Sequence, residues 1–322
     1  MLKEDYPRQK KEANIKKRIN VLGYEIIAEL NTGGSQRRFY RARKRNSTYV
    51  IIYDQDKDSY LRIQKHLSRK GIGVPKVYDV QKNLIVTEDL GEDSLYELKR
   101  RKNENIKRYY QKAIQELVKL QVDGRQGVPV KSCYDAKHIK WEQDYFEQYF
   151  LGQLCHQSQK RIDAVKNDFA KLRTAVLSAI QPLHDFLMHR DYQSQNIFVK
   201  DNRIRIIDFQ SARIGPLSYD LAALLRDSYS KIAEPVEEEL VDFYLKCVRR
   251  KGIQISNKEF LKAYCLTGIQ RNMQALGAFA NLSLNKGKPG FRKYIPRGLE
   301  LLKRGLWGSD FNELFMVVRS IG

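Results

Sequence analysis

Between residues 24 and 87 the apolar positions fall in short runs split by polar turns, a period that suits strands. Tyr24-Glu25-Ile26-Ile27-Ala28-Glu29-Leu30 reads as the first strand, and Asn31-Thr32-Gly33-Gly34-Ser35 as a turn. Arg38-Phe39-Tyr40-Arg41-Ala42 and Tyr49-Val50-Ile51-Ile52-Tyr53 read as two more strands joined at Asn46-Ser47. Residues 58–70 have helical spacing through Leu61 and Leu67, with Gly71 as a natural stop. Val74-Pro75-Lys76-Val77-Tyr78 and Leu84-Ile85-Val86-Thr87 then read as strands, before Glu88-Asp89-Leu90-Gly91 breaks the pattern.

Beyond that break the period becomes helical. Helices are expected at 104–121, 140–153, 158–180, 219–228, 233–251, 257–280 and 291–304. Short strands are expected at Phe186-Leu187-Met188, Ile197-Phe198-Val199 and Ile204-Arg205-Ile206-Ile207. The reading is an α+β chain in two lobes: a small antiparallel-sheet lobe at 23–87, a hinge at 88–91 and a larger, mainly helical lobe at 92–322. Residues 1–22 are strongly basic and read as a short helical extension outside both lobes.

The 322 residues carry 59 Lys and Arg against 38 Asp and Glu, a formal charge of +21. Such a field attracts anions, whether nucleotides, acidic substrates, nucleic acid or anionic membrane. No motif for base readout accompanies it, so sequence-specific nucleic-acid binding is not expected. The four cysteines, Cys133, Cys155, Cys247 and Cys265, form no CxxC pair and have no histidine at zinc-ligand spacing. Reduced thiols, no apolar leader at the N-terminus and no run long enough to span a membrane point to a cytoplasmic protein.

The chemistry concentrates in His189-Arg190-Asp191-Tyr192-Gln193-Ser194-Gln195-Asn196, followed by Ile204-Arg205-Ile206-Ile207-Asp208-Phe209-Gln210. The first stretch fits H-R-D-x-x-x-x-N and the second ends an apolar strand on a carboxylate. Phosphoryl transfer needs a cation to neutralise phosphates and a group to orient the attacking hydroxyl. Mg²⁺ prefers hard oxygens, and a hairpin bringing Asn196 beside Asp208 offers it an amide oxygen and a carboxylate. Asp191, five residues earlier on the same loop, is placed to take the hydroxyl proton. Asp191 with its neighbours His189 and Arg190 forms the candidate catalytic set, and Asn196 with Asp208 the candidate metal set.

The stretch from His189 to Asp208 resembles the catalytic core of protein-kinase-like enzymes. Its continuation, Gln210-Ser211-Ala212-Arg213-Ile214-Gly215-Pro216-Leu217-Ser218-Tyr219-Asp220-Leu221-Ala222, is similar to aminoglycoside phosphotransferase and choline kinase relatives. Four further stretches narrow the resemblance to bacterial N-acetylmuramate/N-acetylglucosamine anomeric kinases. They are Gly33 to Arg41, Glu88 to Gly91, Asp220 to Tyr229, and Gln270 to Gly277 with Ile295-Pro296-Arg297 downstream. The likeness covers about residues 28–304. It implies ATP and Mg²⁺ as cofactors and a small-molecule hydroxyl as acceptor.

The resemblance also assigns residues. Gly33, Gly34, Ser35, Arg37 and Arg38 would lie over the ATP phosphates, and Glu88 and Leu90 in the hinge would meet adenine through their backbone. Asp220 would bond back to the catalytic loop. Glu142 and Asp144, on a helix like one near the acceptor site of the amino-sugar kinases, would contact the acceptor, as would Arg271 and Gln274; surface or core packing is the ordinary alternative for all four. One departure stands out. Tyr49-Val50-Ile51-Ile52-Tyr53 lacks the third-strand Lys of protein kinases, and the helix after it lacks the partner Glu. Losing both together leaves no unpaired charge, and Arg37 or Arg38 becomes the candidate replacement. The departure also admits a nucleotide-binding regulator without turnover. Other acceptors, an aminoglycoside, a choline-like alcohol or a lipopolysaccharide sugar, stay open at this point.

Overall fold

The structure, a computed structural model, describes residues 5–30 and 37–321, with side chains from Glu12 onward. The expected phosphate-loop residues Gly33, Gly34 and Ser35 lie outside the described residues.

Strands β1 (Glu25–Leu30), β2 (Arg38–Lys44), β3 (Ser47–Tyr53), β4 (Val77–Gln81) and β5 (Leu84–Glu88) form one antiparallel sheet in the order β1-β2-β3-β5-β4. β4 begins at Val77, later than the apolar run suggests, because Pro75 has no N–H to give the ladder. The basic N-terminal segment is helix α1 (Asp5–Val21). It is no detached extension: Ile15 and Ile19 are buried with Tyr24, Tyr40, Ala42, Ile51, Leu84 and Val86. Helix α2 (Lys57–Arg69) sends Tyr60, Ile63 and Leu67 into the main core.

The rest is largely helical: α3 (Leu95–Arg100), α4 (Ile106–Val122), α5 (Ala136–Tyr145), α6 (Gln159–Ile180), α7 (Leu217–Leu225), α8 (Glu234–Arg250), α9 (Asn257–Asn285), α10 (Ile295–Leu306) and α11 (Asn312–Arg319). α9 is buried almost all round from Phe260 to Asn281 and packs against α5, α6, α7 and α10. An all-round buried helix shows no single apolar stripe. α5 starts earlier than its apolar period suggests, because the Asp135 carboxylate caps it by accepting the His138 N–H at 2.8 Å. From Phe146 to Leu154 it continues as a π-helix, whose wider turn buries Phe146, Phe150 and Leu151 together.

Two short strand pairings sit among the helices. β6 (Phe186–Met188) pairs with β9 (Arg213–Gly215), and β7 (Ile197–Lys200) with β8 (Arg203–Ile206). The β7–β8 turn is Asp201-Asn202, both with positive φ, the type I′ geometry that matches strand twist. This hairpin is tied to the small lobe at Gly73, whose carbonyl accepts the Ile206 N–H at 2.6 Å. A Cβ at residue 73 would lie 2.1 Å from the Ile204 carbonyl oxygen, so only glycine allows the approach.

Candidate active site

The catalytic stretch runs from β6 through a short 3₁₀ turn, Ser194–Asn196, into β7. Two buried carboxylates hold its backbone. Asp220, in the first turn of α7, accepts the His189 and Arg190 N–H groups at 2.6 and 2.8 Å. Asp227 accepts the Ser194 N–H at 2.9 Å and the Ser194 hydroxyl at 2.5 Å. Burial pushes both carboxyls upward, Asp220 to about 7 even against the pull of its two amides. Arg190 is held at φ 81 and Asp208 at φ 65, left-handed conformations that a non-glycine residue keeps only when its surroundings impose them.

The three polar residues of the motif converge. Asn196 donates its side-chain N–H to the Asp191 carbonyl at 2.9 Å, and its own carbonyl accepts the Ile207 N–H at 3.0 Å. Asp208 follows Ile207 directly, and one of its oxygens accepts from the Gln210 amide. Asp191 keeps 26 % of its side chain exposed, enough to meet a substrate. Both Asp191 and Asp208 act through the electric field on the same imidazole, that of His189.

His189 itself was expected among the catalytic residues. It is fully buried, with Nε2 3.0 Å from the Ile207 carbonyl and Nδ1 unpartnered. Burial pulls its pKa down, outweighing the two carboxylates, so it is a neutral strut between the loop and the Asp208 strand. Arg190 extends the other way, its guanidinium 5.6 Å from the Trp141 ring centre.

The remaining expectations divide. Arg271, on α9, reaches the site: Nη2 lies 2.8 Å from Gln193 Oε1 and 3.6 Å from Asp191 Oδ1, and Nη1 donates to Gln274 Oε1 at 2.7 Å. Glu142 does not reach it. Glu142 is wholly enclosed and accepts from Tyr219, Gln270 and Tyr134 at 2.7, 3.0 and 3.2 Å, a structural hub rather than an acceptor contact. Asp144 faces solvent, paired with Lys140 at 2.7 Å. Arg38 points to the outer sheet, paired with Glu12 at 3.0 Å and Glu29 at 3.1 Å, so it is turned from any phosphate role. Arg37 is bonded to Asp54 at 2.5 Å. In the hinge, burial alone would raise the Glu88 carboxyl. The Lys76 amide, Arg205 and Lys200 outweigh burial and hold it low. Leu90 is buried beside it.

Beyond Arg190 opens a cavity of about 670 Å³ that the motif reading did not anticipate. Lys131, Lys137, Arg190 and Arg213 line it with Asp135 and Trp141. Its residues come from the loop before α5, from α5, from the catalytic loop and from β9. No local motif announces such a gathering.

An antiparallel-sheet lobe, a helical lobe and an Asp–Asn–Asp site on the loop after β6 and the turn after β8 define a kinase-fold phosphotransferase. Comparison with known proteins places it further. Residues 27–253 match the phosphotransferase enzyme family, and the chain belongs to that family. It is 30% identical over 283 residues to the N-acetylmuramate/N-acetylglucosamine kinase of Neisseria meningitidis serogroup B, covering 83% of this chain and 82% of the relative. Among solved structures it resembles a choline/ethanolamine kinase family protein from Mesorhizobium loti at TM-score 0.63 and 17% identity, covering 96% and 99% of the two chains. It also resembles an ADP-bound aminoglycoside phosphotransferase at TM-score 0.57 and 15% identity, covering 89% and 95%. The chain is therefore a kinase with a hydroxyl group as acceptor, and its family implies ATP as the donor. Among the described residues no helix is long and apolar enough to cross a membrane.

Proposed function

We propose that this kinase moves the γ-phosphoryl group of ATP to an N-acetylated amino sugar such as N-acetylmuramate or N-acetylglucosamine, at the anomeric hydroxyl, with Mg²⁺ as the metal. The observation that carries the chemistry is the gathering of Asp191, Asn196 and Asp208 at the base of one short hairpin, with Asp191 open to substrate. The acceptor class is supported by the relative from Neisseria meningitidis and by a second of the same name from Pseudomonas aeruginosa.

The residues fit a divalent cation of this kind. Asn196 spends its N–H on the loop, which turns its amide oxygen to the site, and Asp208 keeps its second carboxylate oxygen. A divalent cation there would take one oxygen from each residue and complete its shell with phosphate oxygens and water. Asn196 and Asp208 would hold the metal, which would neutralise the charge that builds on the transferred group. Asp191 orients the acceptor hydroxyl and takes its proton late, since a loose transition state rewards position over basicity. Arg271, fixed by Gln193 and Gln274, holds a positive charge beside Asp191 and keeps its carboxylate in place. Glu88 and Leu90 present hinge backbone to adenine. Arg37, just before β2, is the remaining candidate of the two for the phosphates, its charge shared with Asp54.

The test is ADP release over a panel of sugars, aminoglycosides and choline, with the product's position read by phosphorus NMR. Turnover of N-acetylated amino sugars to the 1-phosphate is the expected result. Turnover of choline or an aminoglycoside instead removes the sugar assignment.

A further inference from the structure

The cavity beside the catalytic loop carries a charge pattern that the general chemistry of phosphoryl transfer does not require. Four of its lining residues, Lys131, Lys137, Arg190 and Arg213, are cations, against the single carboxylate of Asp135. That carboxylate is already engaged in capping α5. Neither the Arg190 nor the Arg213 side chain makes a hydrogen bond or ion pair with any described residue, and the Nε atom of each is buried without a partner. Burial, and after it the charge of Arg190, pull the Arg213 guanidinium below its ordinary value; Glu142 and Asp135 act more weakly in the opposite direction. Two half-buried guanidiniums that repel each other are costly unless an anion comes between them.

Their positions tie them to the acceptor. Arg190 is the residue before Asp191, and Arg213 pairs across the strands with Met188, one residue before the motif begins. An acceptor with its hydroxyl at Asp191 and its far side turned over Arg190 into the cavity would meet this pair. We infer that Arg190 and Arg213 form a carboxylate-binding subsite that makes the kinase prefer an acidic amino sugar over its neutral counterpart. This rests on the amino-sugar reading above and adds the group that sets the choice. A planar guanidinium pair suits a carboxylate, which can accept two parallel N–H groups from one arginine. A cationic acceptor would meet four like charges at the same place.

The experiment compares kcat/KM for N-acetylmuramate, its neutral carboxamide and N-acetylglucosamine. For the wild type, N-acetylmuramate should exceed its carboxamide by about ten- to a hundred-fold, the range of one charge-assisted pair. Arg213→Met should collapse that ratio and Arg213→Lys should restore part of it. Equal use of acid and carboxamide by the wild type overturns the subsite with no variant needed, as does an unmoved ratio in a folded Arg213→Met.

If the wild type phosphorylates no amino sugar, the acceptor reading fails and the subsite is judged separately. Trp141 lines the cavity, and Trp307 is the other tryptophan of the chain. In a Trp307→Phe background, saturable quenching by D-lactate at constant ionic strength, lost on adding Arg213→Met, supports the anion site. No saturable quenching, or quenching that survives Arg213→Met, overturns it.

Discussion

The catalytic loop and the cavity beside it are built on opposite principles. In the loop nearly every polar group has a partner: Asp220 and Asp227 take its backbone N–H groups, Asn196 ties it to itself, and His189 braces it against the Asp208 strand. In the cavity, the Nε atoms of Arg190 and Arg213 are buried without a hydrogen-bond partner. The difference teaches where each kind of information sits. Geometry common to all phosphoryl transfers is locked by internal bonds, so it survives an empty site. Recognition of one acceptor is left open, so that the ligand supplies what the protein withholds.

The contrast breaks most visibly at Asp191. Asp191→Asn should keep the fold and lower kcat by about a thousand-fold, the range for a positioned proton acceptor. ADP release under saturating acceptor measures it, and turnover that survives nearly intact ends the assigned role. Next comes the enclosed hub behind the cavity. Glu142→Ala leaves Tyr134, Tyr219 and Gln270 without their common acceptor and should cost about 3 kcal/mol of stability in urea unfolding. A change in acceptor KM with no loss of stability would return Glu142 to the substrate.

Smaller is the pH response of His189. Burial lowers its pKa in the folded chain, so below about pH 6.5 the unfolded chain binds a proton that the folded chain refuses. Wild type should lose stability relative to His189→Gln as pH falls from 7 to 5, at no more than about 1.4 kcal/mol per pH unit. Parallel stability curves for the two proteins would mean that the imidazole is not held neutral. The smallest effect belongs to Arg38→Met. Its partly exposed pairs with Glu12 and Glu29 are worth less than about 1 kcal/mol, and KM for ATP should not move.

The catalytic motif was legible because its chemistry is packed into contiguous residues, and the two-lobed fold because strand and helix periods switch near Glu88. Residues whose role depends on burial were not. Glu142 and Asp144 lie two apart on one helix, so they face different directions, and helical spacing alone does not say which side is inside. The family resemblance and the missing third-strand Lys put Arg38 over the phosphates, while the fold pairs it with Glu12 on α1 and Glu29 on β1. Asp227 and Arg213 carry no local signal, since each gains its meaning from a partner more than twenty residues away. β9 and α11 are too short for periodicity to single out.

The tie at Gly73 has one more outcome. Glu88 in the hinge sits against Lys200 and Arg205, which belong to the same β7–β8 hairpin that the Gly73 carbonyl holds and that delivers Asp208. Small lobe and Asp208 thus share one beam. Through that beam a load placed on the small lobe at Gly73 or Glu88 reaches Asp208, while the Asn196 and His189 bonds to Ile207 keep Asp208 in register with the catalytic loop.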